Sequence, residues 1–208
     1  MDEKVPLCVP PWDEAQALNQ GAAYDPEIGF YVPEHMLADD FYEWLPRKWR
    51  YPGKPVLIPE ILPVSSWEKN LRYILHQEQW DALRRYCYAA AGYRCEICGA
   101  RASPHLECHE AWEFNDATKV QRMRGLLCLD PLCHKAHHLG FANSSGMLKD
   151  VLEHIREVNH WNKGTLDTVI KRVREQWKQR TREGAWTVDL SWLENSDYRR
   201  IAETAELI

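Results

Sequence analysis

The chain has 208 residues, 45% of them hydrophobic and 27% charged, with ten Trp. That is enough to build the core of one large or two small domains, and the Trp content favours packed units over disorder. The net charge is −5, with −6 on residues 1–66 and +1 on residues 67–208, so any cationic surface belongs to the second part.

Residues 1–50 read as a small α/β unit. PLCV is a short strand, DEAQALNQ a helix stopped by Gly21, and YDPEIGFYVP a hairpin turned by Asp25-Pro26 and Gly29. DDFYEW is a short helix that must end before Pro46. Residues 51–64, YPGKPVLIPEILPV, contain four Pro and read as an extended linker. Residues 65–208 form the second domain. Ser65 and Glu68 are spaced as a capping box, and the helical pattern from Trp67 to Gly92 breaks near HQEQW into two helices. A Cys- and His-rich stretch runs from Tyr93 to Gly140, followed by helices over MLKDVLEHIREVNHW and from about Thr165 to Arg182, then an extended AWTVDLSWL. The fold class expected is α+β. No apolar run approaches the roughly 20 residues of a membrane span. The start, MDEKVPLCVPPWDEA, lacks the basic-then-apolar pattern of a secretory leader, so a cytoplasmic protein is expected.

Seven Cys is an odd number, and four of them fall into two close pairs, Cys95/Cys98 and Cys128/Cys133. In a cytosolic chain such pairs suggest metal before disulfides. Cys95-Glu-Ile-Cys98-Gly lets two thiolates reach one ion, with Gly99 permitting the turn. Cys128 and Cys133, separated by Leu-Asp-Pro-Leu, would complete a closed tetrahedral structural zinc site. Cys108 could replace one of the four. Cys8 and Cys87, in apolar surroundings, read as ordinary buried thiols.

With the thiols so used, the histidines are left over. On a helix starting at Cys133, His134 and His138 share a face. They could clamp a second divalent metal (Mg, Mn, Ni or Zn), with His109 or Glu110 arriving from a strand. His137 lies off that face, toward solvent or behind the ligands.

This pattern resembles the HNH, or ββα-metal, nucleases. YRCEICG supplies a first knuckle, LECHEAWEF a hairpin strand, and LLCLDPLCHKAHHLG a second knuckle and metal helix. The likeness is to a bacterial branch of that family and spans about residues 67–140. It implies a zinc-stabilised ββα core flanked by helices, and metal-dependent hydrolysis of phosphodiester bonds. His109, Glu110 and His134 would then be the catalytic residues. Two registers are open: Cys108 as ligand with His109 as base, or His109 as ligand with Glu110 as base. The loop Asn of the family frame is replaced, since Met123 and Arg124 precede the second knuckle. VPPWDEAQALNQGAAYDPEIGFYVPE resembles a small domain carried by mobile-element relaxases and primases.

Lys119, Arg122, Arg124 and Lys135, with Lys171, Arg172 and Lys178 on the late helix, are the side chains expected to meet phosphate, DNA being the favoured partner. The alternative is a catalytically inactive zinc-binding adaptor for nucleic acid or a protein, such as a phage or mobile-element regulator or inhibitor. Its contact surface would be the aromatic side of the N-terminal domain: Trp12, Tyr24, Phe30, Tyr31, Trp44 and Trp49.

Overall fold

A computed structural model describes residues 4–50, 55–67, 69–101 and 105–194. The fold is α+β, with small sheets. The order is α1 (Glu14–Gln20), β1 (Ala23–Asp25), β2 (Gly29–Tyr31), a 3-10 helix (Ala38–Trp44), α2 (Arg47–Arg50), a second 3-10 turn (Val64–Ser66), α3 (Leu71–Ile74) and α4 (Gln77–Ala90). Then come β3 (Glu107–Asn115), β4 (Val120–Leu129), α5 (Pro131–His137), α6 (Leu139–Ser144), α7 (Leu148–Val158), α8 (Lys163–Arg182), β5 (Thr187–Asp189) and α9 (Ser191–Glu194). Among the described residues no helix is long and apolar enough to cross a membrane.

In the N-terminal part, β1 and β2 pair as the expected antiparallel hairpin, and the Asp25 carboxylate accepts from the Glu27 and Ile28 amides to make its turn. Leu7, Ala17, Phe30, Phe41, Trp44 and Leu45 form its core. Phe30 and Trp44 are therefore interior, and only Trp12 and Tyr24 of the six aromatic residues are strongly exposed. The unit packs on the CxxC turn: the Arg47 amide donates to the Glu96 carbonyl and the Lys48 amide to that of Ile97, at 3.2 Å for the latter.

Of the Pro-rich segment, residues 55–63 form neither helix nor strand, and they are held like a strap rather than free like a spacer. Leu57 is fully buried. Asn159, just after α7, accepts from the Val56 and Leu57 amides (2.8 and 3.1 Å) and donates to the Leu57 carbonyl (2.7 Å). Arg180 donates to the Ile61 carbonyl (3.1 Å). Glu68, the partner proposed for the Ser65 capping box, lies outside the described residues. The break at HQEQW is real: α3 ends at Ile74, and α4 starts after His76, whose amide donates to Gln79.

The second part is organised by a sheet of order β3-β4-β5, with β3/β4 antiparallel and β5 parallel to β4. Side chains alternate across a strand, so its two faces serve two cores. Leu126, Cys128, Cys108 and Met123 pack with Leu71, Leu83 and Cys87 of α3 and α4. Leu127 and Leu129 pack with Cys133 and Ala136 of α5, Val151 and Ile155 of α7, and Ile170 of α8. α5 begins directly after the hairpin because Asp130 caps it, accepting from the Leu132 amide (2.8 Å), and Pro131 fits the first helical position.

Candidate metal centres

Two clusters of metal-ligating side chains lie on the α5 face of the sheet. The first gathers Cys95, Cys98 and Cys133, whose sulfurs lie within 4.8 Å of one another. The CxxC turn is made as the sequence requires. The Cys98 amide points at Cys95 Sγ (3.5 Å), the Gly99 amide donates to the Cys95 carbonyl (2.9 Å), and Gly99 adopts φ +76°. A side chain there would also strike Pro6. Hydrogen bonds from Cys133 and Cys98 pull the Cys95 thiol well below its usual range, while Cys133, bonded to both and buried, is pushed far up. One thiolate therefore forms readily, and the trio as a whole needs a cation to be fully ionised. These three residues could hold a metal ion and are compatible with zinc.

Cys128 is not brought to this cluster. On β4 it alternates with Leu127 and Leu129, which face Cys95 and Cys133, so period two turns Cys128 to the opposite face against Cys87 and Cys108. Burial there raises its thiol, followed by the charge of Cys87. Cys108 shares that face and does not replace it. The side chain that does approach is His154 of α7, with Nε2 3.0 Å from Cys133 Sγ. Asp130, Cys133 and His154 form a further ligand-competent group. The signal for His154 was present in the sequence: three residues after Val151 and next to Ile155, it borders the buried stripe of α7, where a half-buried imidazole needs a partner.

The second cluster brings together His109 of β3 with His134 and His138, within 4.8 Å of one another. The His109 ring lies 5.1 Å from that of His134 and 5.0 Å from that of His138. His134 Nδ1 is bonded by the Glu107 carboxylate, two residues before His109 on the same face of β3, which fixes the ring and leaves Nε2 to act as a ligand. Burial, then the neighbouring imidazoles, lowers His138 to about 3, with Glu107 opposing. His109, 1% exposed, falls to about 3 for the same first reason, with the charge of His134 adding to it. Both rings are thus uncharged at neutral pH, the form in which imidazole binds metal.

His137 is not solvent-facing. It is buried and stacks on His109 with centroids 4.5 Å apart. Sequence reading also missed Glu60, whose Oε2 stands 3.3 Å from His109 Nε2. Burial raises the Glu60 carboxyl to about 8 against a lowering contact from the Trp112 amide. Glu110 is on the other face of β3, where it accepts from the Leu71 amide (3.0 Å). It does not join the histidines, so of the two possible strand registers the structure presents His109, and neither Cys108 nor Glu110, to His134 and His138.

The expected phosphate-binding side chains are scattered. Lys119, at the far end of the hairpin, donates to the Glu183 carbonyl (2.6 Å); Arg122 pairs with Asp189 (2.8 Å) and Arg124 with Glu113 (3.6 Å). Lys135 lies on α5 near Glu107. Lys171 and Lys178 line a groove between α7 and α8 with Asp167 and Glu175, and Arg172 is exposed on α8. Comparison with protein-family models, with curated proteins and with solved structures gave no significant match.

Proposed function

We propose that the chain is a metal-dependent nuclease of the HNH kind, built on a zinc knuckle. The observation that carries this reading is the convergence of His109, His134 and His138, with Glu107 orienting His134, at the junction of a β-hairpin and the helix that follows it. A divalent ion there would supply Lewis acidity to a scissile phosphate. The chain's own residues hold that position: His109 from inside the fold, His134 and His138 from the partly exposed side by which a substrate can approach. Zinc on Cys95, Cys98 and Cys133, closed by His154, would tie the CxxC turn to α5 and α7. This role is structural, because four protein ligands leave no open position. DNA is the substrate class we favour, and a cytoplasmic setting follows from the same reading.

A non-catalytic adaptor is supported by a different observation. Lys119, Arg122 and Arg124 are engaged within the chain, and Glu110 is turned away from the histidines. Exposed Trp12 and Tyr24 would then serve as protein contacts. The deciding experiment is cleavage of plasmid and single-stranded DNA with Mg²⁺, Mn²⁺, Ni²⁺ or Zn²⁺. Wild type is compared with His109→Ala and His138→Ala of equal thiolate-bound zinc. Cleavage by wild type alone supports the nuclease; no cleavage by any protein moves the reading to the adaptor.

A further inference from the structure

The outer histidines do not account for the most deeply buried polar atoms of this region. Both ring nitrogens of His109, both ring nitrogens of His137 and Oε2 of Glu60 are buried, with no hydrogen-bond partner among the described residues. Such atoms are rare singly, because each one left unmet costs what its lost hydration was worth. One such atom from each of three residues in one place points to a common partner that is not a protein group.

The geometry says what kind. Glu60, His109 and His137 offer ligand atoms within 4.8 Å of one another. The 3.3 Å between His109 Nε2 and Glu60 Oε2 is not a hydrogen bond. It matches two ligands of one tetrahedral ion, which at bond lengths of about 2.0–2.1 Å stand roughly 3.4 Å apart. The placement of Glu60 is built rather than incidental. Its amide donates to the His137 carbonyl (3.2 Å), and its Oε1 faces the Trp112 amide (3.4 Å), which leaves Oε2 directed at His109. Two imidazoles and a carboxylate form a donor set suited to Zn²⁺.

We propose that Glu60, His109 and His137 form a buried zinc-type cation site of their own, a clasp that fastens the 55–63 strap to β3 and α5. It shares His109 with the outer position but uses neither His134 nor His138, and it does not require that the chain cleave nucleic acid.

The test uses the full chain equilibrated with buffered Zn²⁺, with zinc counted per chain. The cysteine site is followed separately through thiolate-to-metal absorption after Co²⁺ loading. Amide hydrogen exchange is read at residues 56–61. Glu60→Gln keeps the size of the side chain and weakens it as a ligand. We expect at least tenfold weaker binding of one zinc that is not thiolate-bound, faster exchange at 56–61 and unchanged cobalt absorption. His137→Gln should do the same, while His138→Ala should leave the 56–61 exchange at its wild-type rate. Wild-type zinc affinity in both Glu60→Gln and His137→Gln would overturn the clasp. If either variant loses the cobalt signal and so the fold, wild type alone decides: exchange at 56–61 indifferent to Zn²⁺ would refute it. A chain that cleaves nothing yet loses this zinc on Glu60→Gln retains the clasp without the nuclease.

Discussion

Replacing Cys128 and replacing Cys133 by Ala should have very different consequences, although the two stand in one motif. Cys133 Sγ lies with Cys95 and Cys98 and 3.0 Å from His154 Nε2. Zinc in sites of this type contributes on the order of 10–16 kcal/mol to the folding of small peptides, against a total stability of about 5–15 kcal/mol for a domain. Removing one of its ligands should therefore abolish stoichiometric zinc and cooperative unfolding around α5 and α7. The Cys128 sulfur is not grouped with these ligand atoms; its backbone bonds Glu96 of the CxxC turn, contacts that an alanine keeps. Its loss leaves a sulfur-sized gap between β4 and α4 and costs about 1 kcal/mol, or roughly 2–4 °C in Tm for a chain of this size. His154→Ala should lower zinc affinity at least tenfold, and His154→Cys, which offers a fourth thiolate, should restore it in part. The assay is zinc per chain by mass spectrometry alongside thermal unfolding by circular dichroism. A Cys128→Ala protein that loses its zinc while Cys133→Ala keeps it would refute the assignment of faces on β4.

The remaining predictions concern the strap and its anchors. Arg180, buried under Phe114 and Trp186, grips the Asp116 carboxylate (2.6 and 3.0 Å) and the Ile61 carbonyl, so Arg180→Ala should cost about 2–3 kcal/mol, read as a lower urea midpoint. Asn159→Ala removes three hydrogen bonds to the strap and should cost about 2 kcal/mol, with faster amide exchange at Val56 and Leu57. Glu110→Gln should leave metal content at wild-type levels, because its carboxylate serves the Leu71 amide on the far face; loss of metal from the histidines would contradict this. In the chain stripped of metal at the histidines, Glu60 is raised from 4.5 to about 8, so its contribution to stability is complete below 4.5 and disappears as pH rises to 8. His109, lowered from 6.5 to about 3, acts in the opposite sense: its contribution is present above 6.5 and is lost as pH falls toward 3. Tm measured from pH 5 to 8 should carry a falling component in wild type that Glu60→Gln removes.

Much of the architecture is local and so was readable in the residues. Asp25-Pro26 makes a turn, Asp130-Pro131 starts a helix, HQEQW interrupts one, and the CxxC-Gly turn depends on only five residues. The expected helix carries His134 but runs only to His137; His138 is its C-cap at φ −115° and ψ 59°, in the break before α6, so its meeting with His134 and His109 depends on that break as well as on the four-residue spacing. What the residues could not decide was which side of the sheet each strand position faced. A single step along β3 separates His109 from Cys108 and Glu110, and a single step along β4 separates Cys128 from the leucines that face the knuckle. Motif spacing counts residues and carries no sense of face. Pairing of β3 with β4, and burial of α5 and α7 against one side only, set that face. The same packing drew in His154 from 21 residues beyond Cys133. It also laid the 55–63 strap, with Glu60, over His109. Partners so distant in the chain meet only when apolar surfaces between them are buried, a tertiary event that no local pattern encodes.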